Sequence, residues 1–320
     1  MEEFKFSNRR NFIKKIVFGS LSITFLNSFT FLKKRDKIKK ITILHTNDIH
    51  SHIDSFPENH SKYGGRGGIR RIASLIKKIR SKEENVILLD AGDIFQGTPY
   101  FNKYKGSLEL KIMSQMGYVA STMGNHDFDN GLKGFSDVLH HANFPFICSN
   151  YDFSETTLKN KTVKFLINEI DGIKIGFFGL GIKLEGLVEK KCFDNTKYLD
   201  PIKTSDFWAE ELKIKKKCDL VVCISHLGHY YKDGKISDIL LAKQSKHIDV
   251  IIGGHTHTFL NKAKFIKNKE NKDVIVNQAG WGALVLGRID IKFTNKNKRI
   301  NELSANEILK KNYAKNEFNS

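Results

Sequence analysis

The chain is poor in proline and cysteine, with four of each in 320 residues. So few prolines, with no long polar tract, argue against a disordered chain, and 40% apolar residues suffice to bury one good-sized core. Cys148, Cys192, Cys218 and Cys223 show no C-x-x-C spacing, and the last two flank an apolar run, so they read as small core residues rather than a disulfide framework or zinc ribbon. The glycine-rich stretch Gly64-Gly65-Arg66-Gly67-Gly68 lacks the Gly-Lys-Ser/Thr of a phosphate loop and the spacing of a dinucleotide fold. It reads as a loop-to-helix turn near the rim of a site. Internal repeats and interdomain linkers are missing. So is any basic helix with interleaved aromatics, which argues against specific nucleic-acid binding.

What is abundant is positive charge. The formal net charge is +18, of which the first 36 residues, with eight Lys/Arg and three acidic residues, hold five, leaving +13 for the rest. Such a field favours anionic partners, phosphate esters among them, although a general bias toward Lys, Asn, Ile and Phe produces the same number.

At the N-terminus, Ser7-Asn8-Arg9-Arg10-Asn11-Phe12-Ile13-Lys14 precedes a moderately apolar stretch from Ile16 to Leu32. This resembles a bacterial twin-arginine export signal. The stretch is short and polar for a spanning helix, and no clean A-x-A-like cleavage site follows it, so residues 1–36 read as an export signal or an uncleaved anchor. The expected partner is the twin-arginine export machinery. The expected location is the periplasm or the outer side of the inner membrane.

Residues 37–294 read as one α/β domain, followed by a polar tail over 295–320. Strands are expected at Ile41 to His45, Val86 to Asp90, Tyr118 to Thr122, Lys174 to Leu180, Leu220 to Ile224 and Val250 to Ile252, with paired strands over Val274 to Phe293 around Gly280-Trp281-Gly282. Helical spacing covers Ile69 to Ile79, Leu108 to Met116 and Gly131 to His141, and this alternation indicates a layered α/β fold.

Metal-ligand residues follow these strand ends repeatedly. Asp48 and His50 follow the first strand, Asp93 the second, Asn125 the third, His226 the Leu220 run, and His255 with His257 the Val250 run. In extended chain, residues two apart face the same side, so each pair can converge. Strand carboxyl ends in α/β sheets gather at one edge, where ligand sites form. A lone Asp-x-His or His-x-His is a weak signal. Their joint recurrence is a strong one.

The stretches Leu44-His45-Thr46-Asn47-Asp48-Ile49-His50, Asp90-Ala91-Gly92-Asp93, Met123-Gly124-Asn125-His126-Asp127, Ser225-His226-Leu227-Gly228 and Gly253-Gly254-His255-Thr256-His257 resemble the calcineurin-like metallophosphoesterases, and within them the 5′-nucleotidase branch. The resemblance implies a four-layer α/β/β/α sandwich and hydrolysis of phosphate monoesters, nucleoside 5′-monophosphates foremost. A 2′,3′-cyclic nucleotide phosphodiesterase or sugar-phosphate hydrolase would use the same metals. A non-catalytic, envelope-tethered binding subunit is the alternative from another class.

Carried over by position, Asp48, His50, Asp93 and His257 would hold one divalent ion, and Asp93, Asn125, His226 and His255 a second, with Asp93 bridging. Oxygen and imidazole ligands without thiolate suit Mn, Zn, Co or Fe. The resemblance places His126 on the phosphoryl group, oriented by Asp129, which also reads as a cap or turn residue before Gly131. His45, His52 and His60 are expected at the rim, behind the ligands or on the surface. Full-length 5′-nucleotidases carry a second, base-binding domain, and the chain ends at Ser320 before one. A separately encoded C-terminal-domain protein is therefore one expected partner, and a broader range of phosphate esters the other expectation.

Overall fold

The computed structural model describes residues 38–294, 299–304 and 307–308. The expected export signal over 1–36 lies outside the described residues, as does most of the expected tail. Among the described residues, no helix is long and apolar enough to cross a membrane.

One sheet contains β1 (Lys39–Thr46), β2 (Val86–Asp90), β3 (Ala120–Ser121), β12 (Val285–Phe293), β13 (Arg299–Ser304) and β14 (Glu307–Ile308), in the order β13-β12-β1-β2-β3 with β14 also on β12. The other holds β5 (Phe165–Ile170), β6 (Ile173–Leu180), β8 (Leu220–Ser225), β9 (Val250–Gly253), β10 (Lys264–Lys267) and β11 (Asp273–Gln278), ordered β10-β11-β9-β8-β6-β5. Two short strands, β4 (Tyr151–Asp152) and β7 (Lys197–Tyr198), pair separately.

Period-two alternation turns these sheets into layers. In the first sheet Ile41, Ile43, Ile87 and Leu89 point into one core, where they meet Leu220, Val222, Ile224, Val250 and Ile252 of the second. The intervening Leu44 and Leu88 face the opposite way, onto α1 (Ile69–Arg80), α3 (Ser107–Met116) and α4 (Gly131–Val138). On the second sheet Val221, Cys223 and Ile251 face outward onto α6 (Pro201–Glu210) and α7 (Asp238–Gln244). The result is the four-layer α/β/β/α sandwich that the resemblance implied. Each fully buried Ile or Leu contributes about 1.5–3 kcal/mol, so both sheet faces are strongly specified. The remaining helices, α2 (Pro99–Tyr104) and α5 (Lys190–Phe193), are short.

β1, β2 and β3 run parallel, as do β6, β8, β9 and β11, so their carboxyl ends share an edge within each sheet. Three elements differ from expectation. The strands around Gly280-Trp281-Gly282 are not partners: β11 pairs with β9 and β12 with β1, so this turn crosses between the sheets. The expected Tyr118 to Thr122 strand shrinks to Ala120–Ser121, whose ladder to β2 covers only Leu89 and Asp90. Part of the expected polar tail, β13 and β14, instead satisfies the backbone groups along the edge of β12. All four cysteines are free; Cys148, Cys218 and Cys223 are buried as expected of core residues, whereas Cys192 is only half-buried.

Candidate active site

The loops after β1, β2, β3, β8 and β9 meet at the shared strand edge. There, ligand atoms of Asp48, His50 and His257 lie within 4.8 Å of one another, as do those of Asp93, His226 and His255. The two groups touch: Asp93 Oδ2 is 3.1 Å from His226 Nε2 and 3.9 Å from His50 Nε2, while Asp48 Oδ1 is 4.0 Å from His226 Nε2. Asn125 Oδ1 joins through His255 Nδ1 at 2.8 Å. All seven residues singled out from the sequence as metal ligands therefore sit in one cluster.

Their convergence does not come from extended chain. Asp48, His50, Asp93, His255 and His257 have φ of 50°, 50°, 56°, 73° and 51°, all in the left-handed region. Non-glycine residues there cost about 1–3 kcal/mol each and persist only where surroundings fix them. The fixing contacts are main-chain bonds between the loops: Asp48 N–H donates to Gly92 O (2.9 Å), His50 N–H to Asp93 O (3.0 Å) and Gly282 N–H to Asp48 O (2.8 Å). His255 N–H donates to both Asp48 oxygens at 3.0 Å.

The structure adds residues to which the sequence reading gave no role. The Asp127 carboxylate accepts main-chain N–H bonds from Asp93, Ile94, Phe95 and Gly124 at 2.8–3.2 Å, tying the β2 loop to the β3 loop. Asn47 Nδ2 donates to Asp48 Oδ2 and Gly280 O, both at 2.6 Å. Asp90 accepts from Thr46 and Ser121 hydroxyls and from Gly92 N–H beneath the loop. A Cβ on Gly124 would stand 2.2 Å from Asp93 Oδ1, so only glycine fits there.

The imidazoles are oriented for coordination. His226 Nδ1 donates to Ala91 O at 2.6 Å, and His50 Nδ1 faces the carbonyls of Phe95 and Gln96 at 3.3 and 3.2 Å, so each Nε2 is turned inward. His226 Nε2 is buried and makes no hydrogen bond, although a carboxylate oxygen lies 3.1 Å away. His50 Nε2 meets His257 Nε2 at 3.0 Å. Imidazole nitrogens and carboxylate oxygens converging from two ligand groups, with the buried His226 Nε2 lacking a hydrogen bond, are a donor set that suits divalent cations, so the residues fit metal ions.

The clustered groups perturb one another. Burial opposes protonation of His226, yet Asp93 and Asp48 lift it to about 10. Burial also works against ionised Asp93, but the His226 charge holds its carboxyl below the usual range. Burial dominates at His255, lowered to about 4, and lowers His50 against the pull of Asp93 and Asp48.

His126 stands beside the cluster, its ring 5.2 Å from that of His50, and its Nδ1 meets Asp129 Oδ2 at 2.8 Å. That hydrogen bond raises its pKa, with burial opposing and Asp93 assisting. Of the other histidines, His45 is wholly buried against Asn277, His52 lies on the rim beside Phe56 and Trp281, and His60 closes a turn with Lys62 and Tyr63 N–H. The glycine-rich stretch leads into α1 with Gly68 as its cap, as expected of a loop-to-helix turn.

Residues 41–259 match the calcineurin-like phosphoesterase family. The chain belongs to that family. It is a hydrolase of the metallophosphoesterase class, a class that uses divalent metals. The chain is 32% identical over 294 residues to the trifunctional nucleotide phosphoesterase YfkN of Bacillus subtilis, an alignment covering 82% of this chain and 19% of YfkN. It is 30% identical to the snake venom 5′-nucleotidase of Gloydius brevicauda, covering 87% of this chain and 49% of the venom protein. The crystal structure of a 5′-nucleotidase precursor from Thermus thermophilus superposes with a TM-score of 0.77 at 30% identity, covering 85% of this chain and 55% of that one. The chain thus spans about half the length of the 5′-nucleotidases it resembles, and about a fifth of YfkN.

Proposed function

We propose that the chain hydrolyses phosphate monoesters, with nucleoside 5′-monophosphates as its main substrates, at a site that holds two divalent cations. The observation that carries this reading is the pairing of two three-residue ligand groups about Asp93, whose Oδ2 lies within 3.9 Å of an imidazole nitrogen from each group.

Asp48, His50, Asp93 and His257 would hold one ion, and Asp93, Asn125, His226 and His255 the other. Bound there, the ions would supply Lewis-acid charge to phosphoryl oxygens and would bring the pKa of water toward ~7. The chain's own residues do the rest. Asp127 and Asn47 hold the ligand loops in place through main-chain and carboxylate hydrogen bonds. His126, half-exposed and with its pKa raised by the hydrogen bond to Asp129, stands beside the cluster, where it would stabilise negative charge or protonate the leaving oxygen. The nucleotide preference is supported by the relatives, which are named nucleotide phosphoesterases and 5′-nucleotidases. Export through a twin-arginine signal over 1–36 belongs to the same reading, as a route for a folded, metal-loaded enzyme.

The test is a phosphate-release screen over AMP, UMP, 2′,3′-cyclic nucleotides and sugar phosphates with Mn, Zn, Co or Mg. The expected result is metal-dependent release, fastest from 5′-monophosphates. Release confined to cyclic nucleotides or sugar phosphates would replace the substrate. No release with metals bound would leave a binding subunit.

A further inference from the structure

A cleft of about 620 Å³ opens beside His50, outside the ligand cluster. Its size falls within the ~300–1,000 Å³ of small-molecule sites. Two short paths, one through the backbone and one through stacked rings, join it to the cluster. The Gln96 carbonyl faces His50 Nδ1 at 3.2 Å, and the next residue, Gly97, lines the cleft; a Cβ there would stand 2.9 Å from His50 Cβ, so glycine lets this wall close onto the histidine. On the other side, His52 lines the cleft with its ring 4.4 Å from Phe56 and 5.4 Å from Trp281, which stacks on His257 at 5.4 Å and 9°.

The lining is aromatic on its faces and polar at its edge. Phe56 is buried, and Tyr100 and Tyr104 stack on each other at 6.4 Å and 17°, with Tyr104 37% exposed. Asp54 and Lys103 stand among these rings, and the Tyr100 hydroxyl donates to the Asp54 carboxylate. Such walls favour a flat ligand whose faces stack and whose edge both donates and accepts hydrogen bonds. A nucleobase has that form: an exocyclic amino group can donate to Asp54, and a ring nitrogen or carbonyl can accept from Lys103. A sugar or a simple alkyl ester lacks the π face. Base stacking on aromatic side chains contributes about 1–3 kcal/mol per base, enough to choose among esters that share one phosphoryl site.

We propose that this cleft binds the base of a nucleotide whose phosphate lies at the ligand cluster, so that the catalytic layer itself reads part of the leaving group. This rests on the phosphoesterase reading above.

Two measurements on the full chain separate the proposals. The first is binding of adenosine and of ribose, neither of which carries a phosphate, to the wild type, Tyr104→Ala and Lys103→Ala. Adenosine should bind in preference to ribose, and both substitutions should weaken it by ~5-fold or more. The second is hydrolysis of AMP and of glycerol 3-phosphate: the variants should raise KM for AMP by ~5-fold or more, leave kcat within about twofold, and leave the glycerol ester unchanged. Adenosine that does not bind, or binds both variants as it binds the wild type, overturns the cleft. So does an equal loss on both esters. Adenosine binding that depends on Tyr104 and Lys103, in a protein that hydrolyses neither ester, upholds the base site and overturns the choice of nucleoside 5′-monophosphates as substrates instead.

Discussion

Asp127 accepts the main-chain N–H of Asp93 at 3.0 Å, and the same carboxylate takes the N–H groups of Ile94, Phe95 and Gly124. One side chain next to the candidate ligands thus fixes the left-handed turn that aims Asp93 into the cluster. Replacing it by alanine leaves four buried donors unpaired. Unpaired buried groups cost about 1–3 kcal/mol each, with partial relief by water or relaxation. Asp127→Ala should therefore lose at least ~3 kcal/mol, a fall of roughly 6–12 °C in Tm, together with bound metal. Thermal unfolding and metal content check this, and a variant with unchanged Tm and metal would show that the contact matters little.

His126 belongs to neither ligand group, and the role proposed for it is that of a general acid. His126→Ala should retain the metal content of the wild type and lose ~10² to 10⁴ in kcat, the usual range for a general acid. Asp129→Asn, which keeps the ring but weakens the 2.8 Å contact, should fall between them. Loss of metal from His126→Ala, or near-normal turnover, would remove the residue from this role.

His45 predicts a pH dependence of stability. Burial lowers its pKa from the ordinary 6.5 to about 3, and Asn277 Nδ2 meets its Nε2 at 3.0 Å. The folded state therefore keeps it neutral while the unfolded state takes up a proton below 6.5. Its contribution is complete above pH 6.5 and is lost as pH falls toward 3, amounting to roughly 3 kcal/mol by pH 4. His45→Gln should flatten the fall in Tm between pH 7 and 4.5. An unaltered slope would mean that another group governs the acid limb.

Arg9 and Arg10 test the export reading. Replacing both by Lys should strand the protein in the cytoplasm, as fractionation of cells would show. Normal export of the double variant would assign the N-terminus another function.

The layers were legible in the sequence because each buried strand is a continuous apolar run with hydrophobic residues toward both cores, as in Leu220–Ser225. The residues of the cluster were legible because each follows such a run. The partner of a strand was not. Asp273–Gln278 and Val285–Phe293 read as a hairpin, since a glycine turn between apolar runs carries no mark of which sheet each joins. Nor was the backbone of the ligands: two-residue spacing suggested extended chain, whereas Asp48, His50, His255 and His257 all take positive φ. Asp127 was overlooked for a related reason, as its partners are main-chain N–H groups brought together only by the fold. The cleft under Tyr100 and Tyr104 is assembled from the β1 loop and α2, two segments that no sequence motif connects.

The central claim is that two divalent ions, shared through Asp93, carry out the hydrolysis. It is tested most directly by counting metal per chain while titrating Mn into metal-stripped protein and following phosphate release from AMP at each step. The account predicts that release rises only as the second ion binds, to a limit of two per chain, and that Asp93→Ala binds fewer ions and releases no phosphate. Full activity at one ion per chain, or after complete chelation, would contradict it.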